Sequence, residues 1–376
     1  MIVRLSVVDP IPSSSGHTLS FDKSLVANLS YASWVEAIEF ISTSQILGDL
    51  DTSSAGAVES KPILSSADLT DSKIISRFRV LENYKKALAS AKGDVVVFTQ
   101  VELFTWAVLL LDREINDRIH VIDQFPSYLT RKNPHWYVYK YVLCNTPNIW
   151  LFDTLSVEHI KKLIGEGHRS RLFAVPHPPY WETEATQVHD KSKDCVHVTH
   201  IGTIRANKGV DTLIRAVSRY ESYLDNENII INLVGSVEKG LSKKVSELSS
   251  LSFVNVRDEY LTDAEYTQYL GRSDYICICH DRRFFPKMSG CFIDAMTYRV
   301  PLIASSYPLW IKYFNQYGPM GLMFDYNSLE SLVSTVKYVS NIEPAKYHSF
   351  MDAIDAYRDN FSRSFFLNRA ERALMS

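Results

Sequence analysis

The sequence predicts a doubly wound α/β protein made of two successive domains, and three observations predict it. Short β-branched runs alternate with runs of helical periodicity from one end of the chain to the other. At 376 residues the chain is long for a single hydrophobic core, so two domains are the default. A stretch rich in proline and charge and without periodicity, "PHPPYWETEATQVHDKSKD" from Pro176 to Asp194, interrupts the alternation near the middle and reads as the linker.

In the first half, apolar runs place strands at Ile2–Val8, Val35–Ile41, Asp94–Thr99, Ile119–Asp123, Ile149–Phe152 and Leu172–Val175. Helical spacing appears in Leu19–Leu29, Ile75–Ala91, Leu103–Ile115, Pro134–Val142 and Ser156–Gly165. Between Ser42 and Ser72 the chain is rich in Ser, Asp, Thr and Ala and poor in aromatics, which predicts a long surface loop. The second half restarts with a strand at Val196–Ile201. Strands follow at Ile229–Val234, Phe253–Val256, Asp274–Cys279, Pro301–Ala304 and Leu322–Phe324. Helices are expected at Val210–Leu224, Leu241–Leu251, Asp263–Leu270, Cys291–Tyr298 and Ser328–Val339, and again from Ala345 with a break near Asn360–Ser362.

Bulk properties exclude several classes. A net charge of -3 gives no global pull towards nucleic acid or acidic lipid, and no nucleic-acid partner is expected. The N-terminus "MIVRLSVVDP" enters a strand at once and has no secretory-signal pattern. The longest apolar run, "WAVLLL" at Trp106–Leu111, is far short of the ~20 residues of a spanning helix. Five scattered cysteines fit a reducing cytosol, and Cys277 and Cys279, on one side of a strand, read as buried thiols. A cytoplasmic protein, or one peripheral at a membrane, is expected. The eleven histidines form no HxxxH or HExxH pattern, so no metal site is expected.

The most informative stretch is "HVTHIGTIRANKGVDTLIRAV", His197–Val217. A strand ends in Gly202, then Arg205 and Lys208 precede Gly209 and an amphipathic helix. Cations there stand beside a helix N-terminus, whose unpaired N–H groups already favour an anion. About eighty residues later, "SDYICICHDRRFFPKMSGCFIDAMTYRVPLIAS" repeats the design. Arg282, Arg283 and Lys287 precede Ser289, Gly290 and a helix carrying Asp294. Ser289 also reads as an ordinary N-cap, and Asp294 as a first-turn acid offsetting the helix dipole. Two anion-accepting loops in one α/β half point to a diphosphate ligand.

In the first half, "VVDPIPSSSGHTLSFDKSLVANL" offers Gly16 for close backbone approach and His17 at a helix start. Its ordinary reading is a serine-rich helix cap. The GxGxxG spacing is missing, which leaves a dinucleotide site weak. Asp123 ends a strand, where open α/β sheets bind ligands, and suits a general base or a hydroxyl acceptor as well as a simple turn cap. His177, between prolines at the seam, reads as a linker lock or a ligand contact. The aromatic stretch "NPHWYVYKYV" reads as core, as an acceptor platform, or as a peripheral membrane face with Lys132, Lys140, Lys161 and Lys162.

The segments "GTIRANKGVDTLIRAV", "GRSDYICICH" and "SGCFIDAMTYRVPLIAS", in that order and spacing, resemble the donor-binding half of glycosyltransferases with the two-Rossmann B-type fold, family 4 of the retaining sugar transferases above all. "SSSGHTLSFDKSLVANL" and "FAVPHP" agree in the first half. The resemblance implies two Rossmann-like domains, at 1–180 and 195–358, with a linker at 181–194, a cleft between them, and a final helix, 359–376, returning to the first domain. It implies that Arg205 and Lys208 bind the donor diphosphate, with Gly202, Lys287, Ser289 and Gly290 around it. It places the nucleotide ribose on Asp294, and brings Gly16 and His17 to the donor from the first domain. A nucleoside-diphosphate sugar as donor, a glycan, lipid-linked or other hydroxyl acceptor, retention, and no cofactor or metal follow from it.

Two positions depart from the family pattern. A glutamate that contacts the donor sugar commonly stands eight positions before the second acid, and here that position is Pro286. The first-domain histidine that follows a strand is replaced by "VIDQFP", which leaves Asp123 as the candidate for part of the work. A nucleotide-sugar epimerase of the same shape and a catalytically idle sugar-nucleotide binder are the competing readings.

Overall fold

The computed structural model describes residues 2–11, 17–43, 58–65, 73–111, 115–123, 135–182, 195–225, 227–280 and 284–376, without the side chains of 17–19, 73–75, 182 and 207. The chain divides into two compact units, Met1–Pro179 with Arg363–Ser376, and Tyr180–Ser362.

The first unit is built on a seven-stranded, all-parallel sheet. Its strands are β1 (Val3–Val8), β2 (Val35–Ser42), β3 (Val58–Pro62), β4 (Val95–Phe98), β5 (Ile119–Ile122), β6 (Asn148–Leu151) and β7 (Arg171–Ala174), in the order β3-β2-β1-β4-β5-β6-β7. Strands such as "VVVF" and "IHVI" are buried throughout, as parallel strands covered on both faces require. Helices α2 (Lys73–Ser90), α3 (Leu103–Leu111), α4 (His135–Asn145) and α5 (Thr154–Ile164) share one hydrophobic core, which includes Tyr84, Trp106, Trp136 and Ile160. Helix α1 (His17–Ser30) belongs to a second core, where Phe21, Leu25 and Leu29 meet Phe366, Ala370 and Leu374 of the last helix. Strand β3 corrects the expectation of an uninterrupted loop from Ser42 to Ser72. It is an edge strand, "VESKP", whose charged side chains give it the composition of a loop. Lys61 of β3 is ion-paired with Glu39 of β2.

The second unit carries a six-stranded parallel sheet. It contains β8 (Val196–Ile201), β9 (Ile229–Val234), β10 (Val254–Arg257), β11 (Tyr275–Ile278), β12 (Leu302–Ser305) and β13 (Gly321–Phe324), in the order β10-β9-β8-β11-β12-β13. Helices α6 (Val210–Arg219), α7 (Ser242–Leu248), α8 (Asp263–Arg272), α9 (Gly290–Thr297), α10 (Pro308–Tyr317), α11 (Leu329–Tyr338) and α12 (Pro344–Asn360) complete it. The helix expected over Val210–Leu224 breaks at Tyr220, and a separate helical turn covers Glu221–Leu224. An aromatic stack anchors α9 from behind. Phe292 lies 4.4 Å from Trp310, and Tyr357 meets Phe292 edge-on. The last helix, α13 (Arg363–Leu374), belongs to the first unit, where Arg363 Nε donates to Asn28 Oδ1 at 3.1 Å.

Each sheet reverses its strand order at one place, between β1 and β4 in the first unit and between β8 and β11 in the second. In open α/β sheets the crevice beyond the carboxyl ends at such a point is where ligands bind.

Candidate functional site

In the second unit the switch point is occupied by the "GTIRANKG" loop. Gly202 leaves β8 with φ 94°, and Ile204 forms a bridge to Val237. Ala206 N donates to Glu238 Oε2 at 3.1 Å, which pins the loop from the other side. A turn at Ala206–Lys208 then ends in Gly209, whose φ of 75° is left-handed. A Cβ on Gly209 would lie 1.9 Å from the carbonyl oxygen of Cys279, so this glycine lets the loop press on the end of β11. Arg205 is exposed and Lys208 half-buried, and neither forms an ion pair among the described residues.

The same packing brings the second loop in. Cys291 Sγ, in the first turn of α9, donates to Ile201 O at 3.1 Å, so the start of α9 abuts the end of β8. Gly202, Lys208, Gly290 and Ser289 thus share one corner. Ser289 takes the N-cap position but makes no capping hydrogen bond with its side chain, so the ordinary N-cap reading fails. Lys287 is half-buried; its carbonyl accepts from the Tyr307 hydroxyl at 2.8 Å and its ammonium lies 6.0 Å from the Phe284 ring. Asp294 lies beyond the first turn of α9, which corrects its reading as a first-turn acid. It is buried, and its Oδ2 accepts from the Tyr266 hydroxyl of α8 at 2.7 Å. Burial, then the Asp294 charge, push the Tyr266 phenol well above its usual range, so it stays a donor. Arg282 and Arg283 lie outside the described residues.

Sequence reading missed His280, although a histidine closing "YICICH" at a strand end was its signal. The ring is buried, Nδ1 donates to Lys208 O at 3.3 Å, and Phe284 lies against it with centroids 3.9 Å apart. His200 of β8 is buried beside it. Burial first and the Lys208 charge second lower His280 to about 3 and His200 to about 4. Both rings are neutral near pH 7, so they leave the Lys208 cation uncompensated and yet do not repel it.

In the first unit, Asp123 follows β5. Its N–H donates to Trp150 O at 2.9 Å and its Oδ2 accepts from the Tyr139 hydroxyl of α4 at 2.7 Å. A neighbouring helix thus helps to orient the carboxylate. Gly16 lies outside the described residues, and His17 opens α1 with its side chain outside them. His177 packs its ring 4.9 Å from Phe21 and 5.2 Å from Phe152, a core contact within this unit. Cys277 and Cys279 are buried free thiols.

The switch point of the first sheet holds a pair the sequence reading passed over. Asp9, directly after β1, is fully buried and accepts from Gln100 Nε2 at 2.9 Å and from Ile11 N at 3.2 Å. Asp22 of α1, also fully buried, faces Asp9 and Thr99. Desolvation raises both carboxyls, Asp22 further because the Asp9 charge adds to it. The folded chain therefore keeps a proton that the unfolded chain releases above about pH 4. The stability this proton confers is complete below that range and is lost as pH rises through the folded values. Asp22→Asn removes the further-raised of the two carboxyls and its repulsion with Asp9. Its melting temperature is expected to gain on the wild type as pH rises from about 4 to about 8, and a difference that does not vary with pH counts against the shared proton.

No protein-family profile and no curated protein sequence matches the chain. Solved structures do. Sucrose-phosphate synthase from Thermosynechococcus elongatus superposes with a TM-score of 0.69 at 13% identity, over 98% of this chain and 97% of its own. HepE of Anabaena in complex with UDP and glucose gives 0.66 at 12% identity, over 99% of each. WaaG, a glycosyltransferase involved in lipopolysaccharide biosynthesis, gives 0.63 at 11% identity, over 99% of each. The fold is the two-Rossmann glycosyltransferase B type. At these identities the likeness establishes the fold, and the chemistry rests on the residues above.

Proposed function

We propose that the chain is a glycosyltransferase that takes a sugar from a nucleoside-diphosphate sugar. The observation that carries this reading is the corner of the second sheet, where Lys208 and Arg205, without ion-pair partners among the described residues, lie in the loop that leaves the end of β8, and the start of α9 abuts that same strand end. Two cations and a helix N-terminus form a fixed positive potential suited to a pyrophosphate, and such preorganised charge is commonly the largest catalytic term where a charged group departs. That HepE is known in complex with UDP and glucose supports a nucleotide-sugar donor for a chain of the same fold.

In this reading Arg205, Lys208, Lys287, Ser289, Gly202 and Gly290 hold the diphosphate. Asp294, already bonded on one oxygen to Tyr266, offers its carboxylate to the ribose. Breaking the bond between the anomeric carbon and the donor phosphate leaves its electrons on that phosphate, which these groups stabilise. The acceptor hydroxyl forms the new bond and passes its proton to the departing phosphate, with retention and without a metal. Inversion with Asp123 as base is the alternative course. The acceptor is a glycan, a lipid-linked sugar or another hydroxyl compound. Pro286, where the family pattern has a donor-sugar glutamate, favours a second reading as a sugar-nucleotide binder without transfer.

A thermal-shift and calorimetric titration with nucleoside diphosphates and their sugars tests the donor site. A saturating ligand at about a hundred times its Kd is expected to add ~2.7 kcal/mol of stability. Absence of a shift with every nucleotide would remove the reading. Binding without transfer across an acceptor panel would select the second.

A further inference from the structure

We propose that a cleft at the amino-terminal edge of the second sheet binds a small organic ammonium compound, an amine with a single-ring apolar body. This goes beyond the donor-site reading and does not depend on it. Every residue of the cleft wall belongs to the second unit. Val196 and Tyr275, on that wall, open β8 and β11, whereas Gly202 and His280 of the candidate donor corner lie beyond the carboxyl ends of the same strands. At ~3.3 Å per residue, the six residues of β8 set the two places roughly 17 Å apart. The cleft has a volume of about 350 Å³, at the lower end of the ~300–1,000 Å³ of small-molecule sites. Val196, Val339, Ile342 and Pro344 give it aliphatic surface, and the Tyr275 and Tyr347 rings meet at 86° with centroids 6.0 Å apart. Tyr275 is buried, and its hydroxyl has no hydrogen-bond partner among the described residues. Burial, then the Asp274 charge, raise this phenol, so near pH 7 it keeps its proton and its oxygen can accept from a ligand N–H. Ser340, by contrast, already donates to Glu227 Oε2 at 3.1 Å.

Charge decides the ligand class. Asp274 brings a carboxylate to the wall; it is buried, and its Oδ2 accepts from His197 N at 2.9 Å. No lysine or arginine among the described residues lines the cleft. The lysines that flank the wall residues in sequence are engaged elsewhere. Lys337 pairs with Glu227 at 2.8 Å, and the Lys346 ammonium lies 5.5 Å from the Phe350 ring. The start of α12, whose dipole favours an anion, carries the acid Glu343 at its N-cap. His348, the histidine on the wall, is exposed. An ammonium group there meets a buried carboxylate, two phenol rings and an accepting hydroxyl. A phosphate or carboxylate would meet the Asp274 charge with no lysine or arginine to offset it.

The test is calorimetric titration of the full chain with benzylamine, benzyl alcohol and benzoate, which share a ring and differ in charge. Benzylamine is expected to bind roughly tenfold or more tighter than benzyl alcohol, with benzoate weakest. Asp274→Asn keeps an acceptor for the His197 N–H and should bring benzylamine down to the level of benzyl alcohol. Ile342→Trp, at a half-buried position, should fill the cleft and abolish binding of both. Circular dichroism shows whether each variant is folded. The wild type itself supplies a further readout. With labelled tyrosine rings, the NMR signals assigned through Tyr275→Phe and Tyr347→Phe should be the ones that benzylamine moves. No binding of benzylamine by the wild type, equal or tighter binding of benzyl alcohol or benzoate, or shifts confined to other tyrosines overturns the proposal. So does benzylamine binding that survives both folded variants.

Discussion

Lys208→Ala is expected to lower sugar transfer by ten- to a hundredfold while the melting temperature stays near that of the wild type. A charge-assisted contact to phosphate contributes ~1.5–3 kcal/mol, and each 1.4 kcal/mol is about a factor of ten. Lys208 is half-buried and without an ion pair among the described residues, so its field is neither cancelled nor fully screened. The charge on the departing phosphate grows during bond breaking, so kcat falls together with kcat/KM instead of KM alone rising. Arg205→Ala, at an exposed position, is expected to cost less. Kinetics and calorimetric donor binding measure both. A second readout belongs to the fold itself. Lys208 is the second cause of the lowered pKa values of His200 and His280, so in Lys208→Ala both imidazoles should take up a proton at a higher pH, visible by NMR. Unchanged kcat/KM in a folded variant would detach the lysine from the pyrophosphate.

Gly209→Ala is expected to destabilise the second unit by about 3 kcal/mol or more, since two costs of about 1–3 kcal/mol each combine there. The residue sits at φ 75°, and its new Cβ would fall 1.9 Å from the Cys279 carbonyl oxygen. That neighbour is backbone at the end of β11 and has no rotamer by which to withdraw. Gly165 separates the contributions, because its φ is 78° and nothing lies within 4 Å of its Cβ position. Gly240 has neither a positive φ nor a neighbour within 4 Å. Chemical denaturation should therefore rank Gly240→Ala near neutral, Gly165→Ala intermediate and Gly209→Ala most harmful. Donor affinity should fall in Gly209→Ala alone, because the displaced loop carries Lys208. Equal losses at Gly209 and Gly240 would refute the close approach.

Much of the site was visible as local chemistry. The strand–glycine–cation–glycine–helix order around Lys208 is a contiguous signal, and so is Ser289-Gly290 before an apolar helix. The buried groups were less visible, because a sequence shows which residues are polar but not which of them lose water. His280 is one polar residue at the end of an apolar run until Lys208, Phe284 and Trp310 close around it. Asp9 and Asp22 are thirteen positions apart, and only the folding of α1 back towards Asp9 and Thr99, the residues that follow β1 and β4, sets them face to face. Asp294 carried a correct place on a helix and an incorrect environment, since the neighbour that takes its carboxylate, Tyr266, comes from another helix.

By itself the chain order of apolar runs determined two parallel-sheet units, nearly all of their strands and helices, and the two loops that gather positive charge. Those are properties of residues within a few positions of one another, where backbone geometry alone sets the period. Tertiary structure alone decided which carboxyls and imidazoles are desolvated, that "VESKP" pairs as an edge strand, and that the apolar helix α3 keeps a face outside the core. Each of these depends on what packs against a residue from elsewhere in the chain, and burial and pairing energies are set by those distant neighbours.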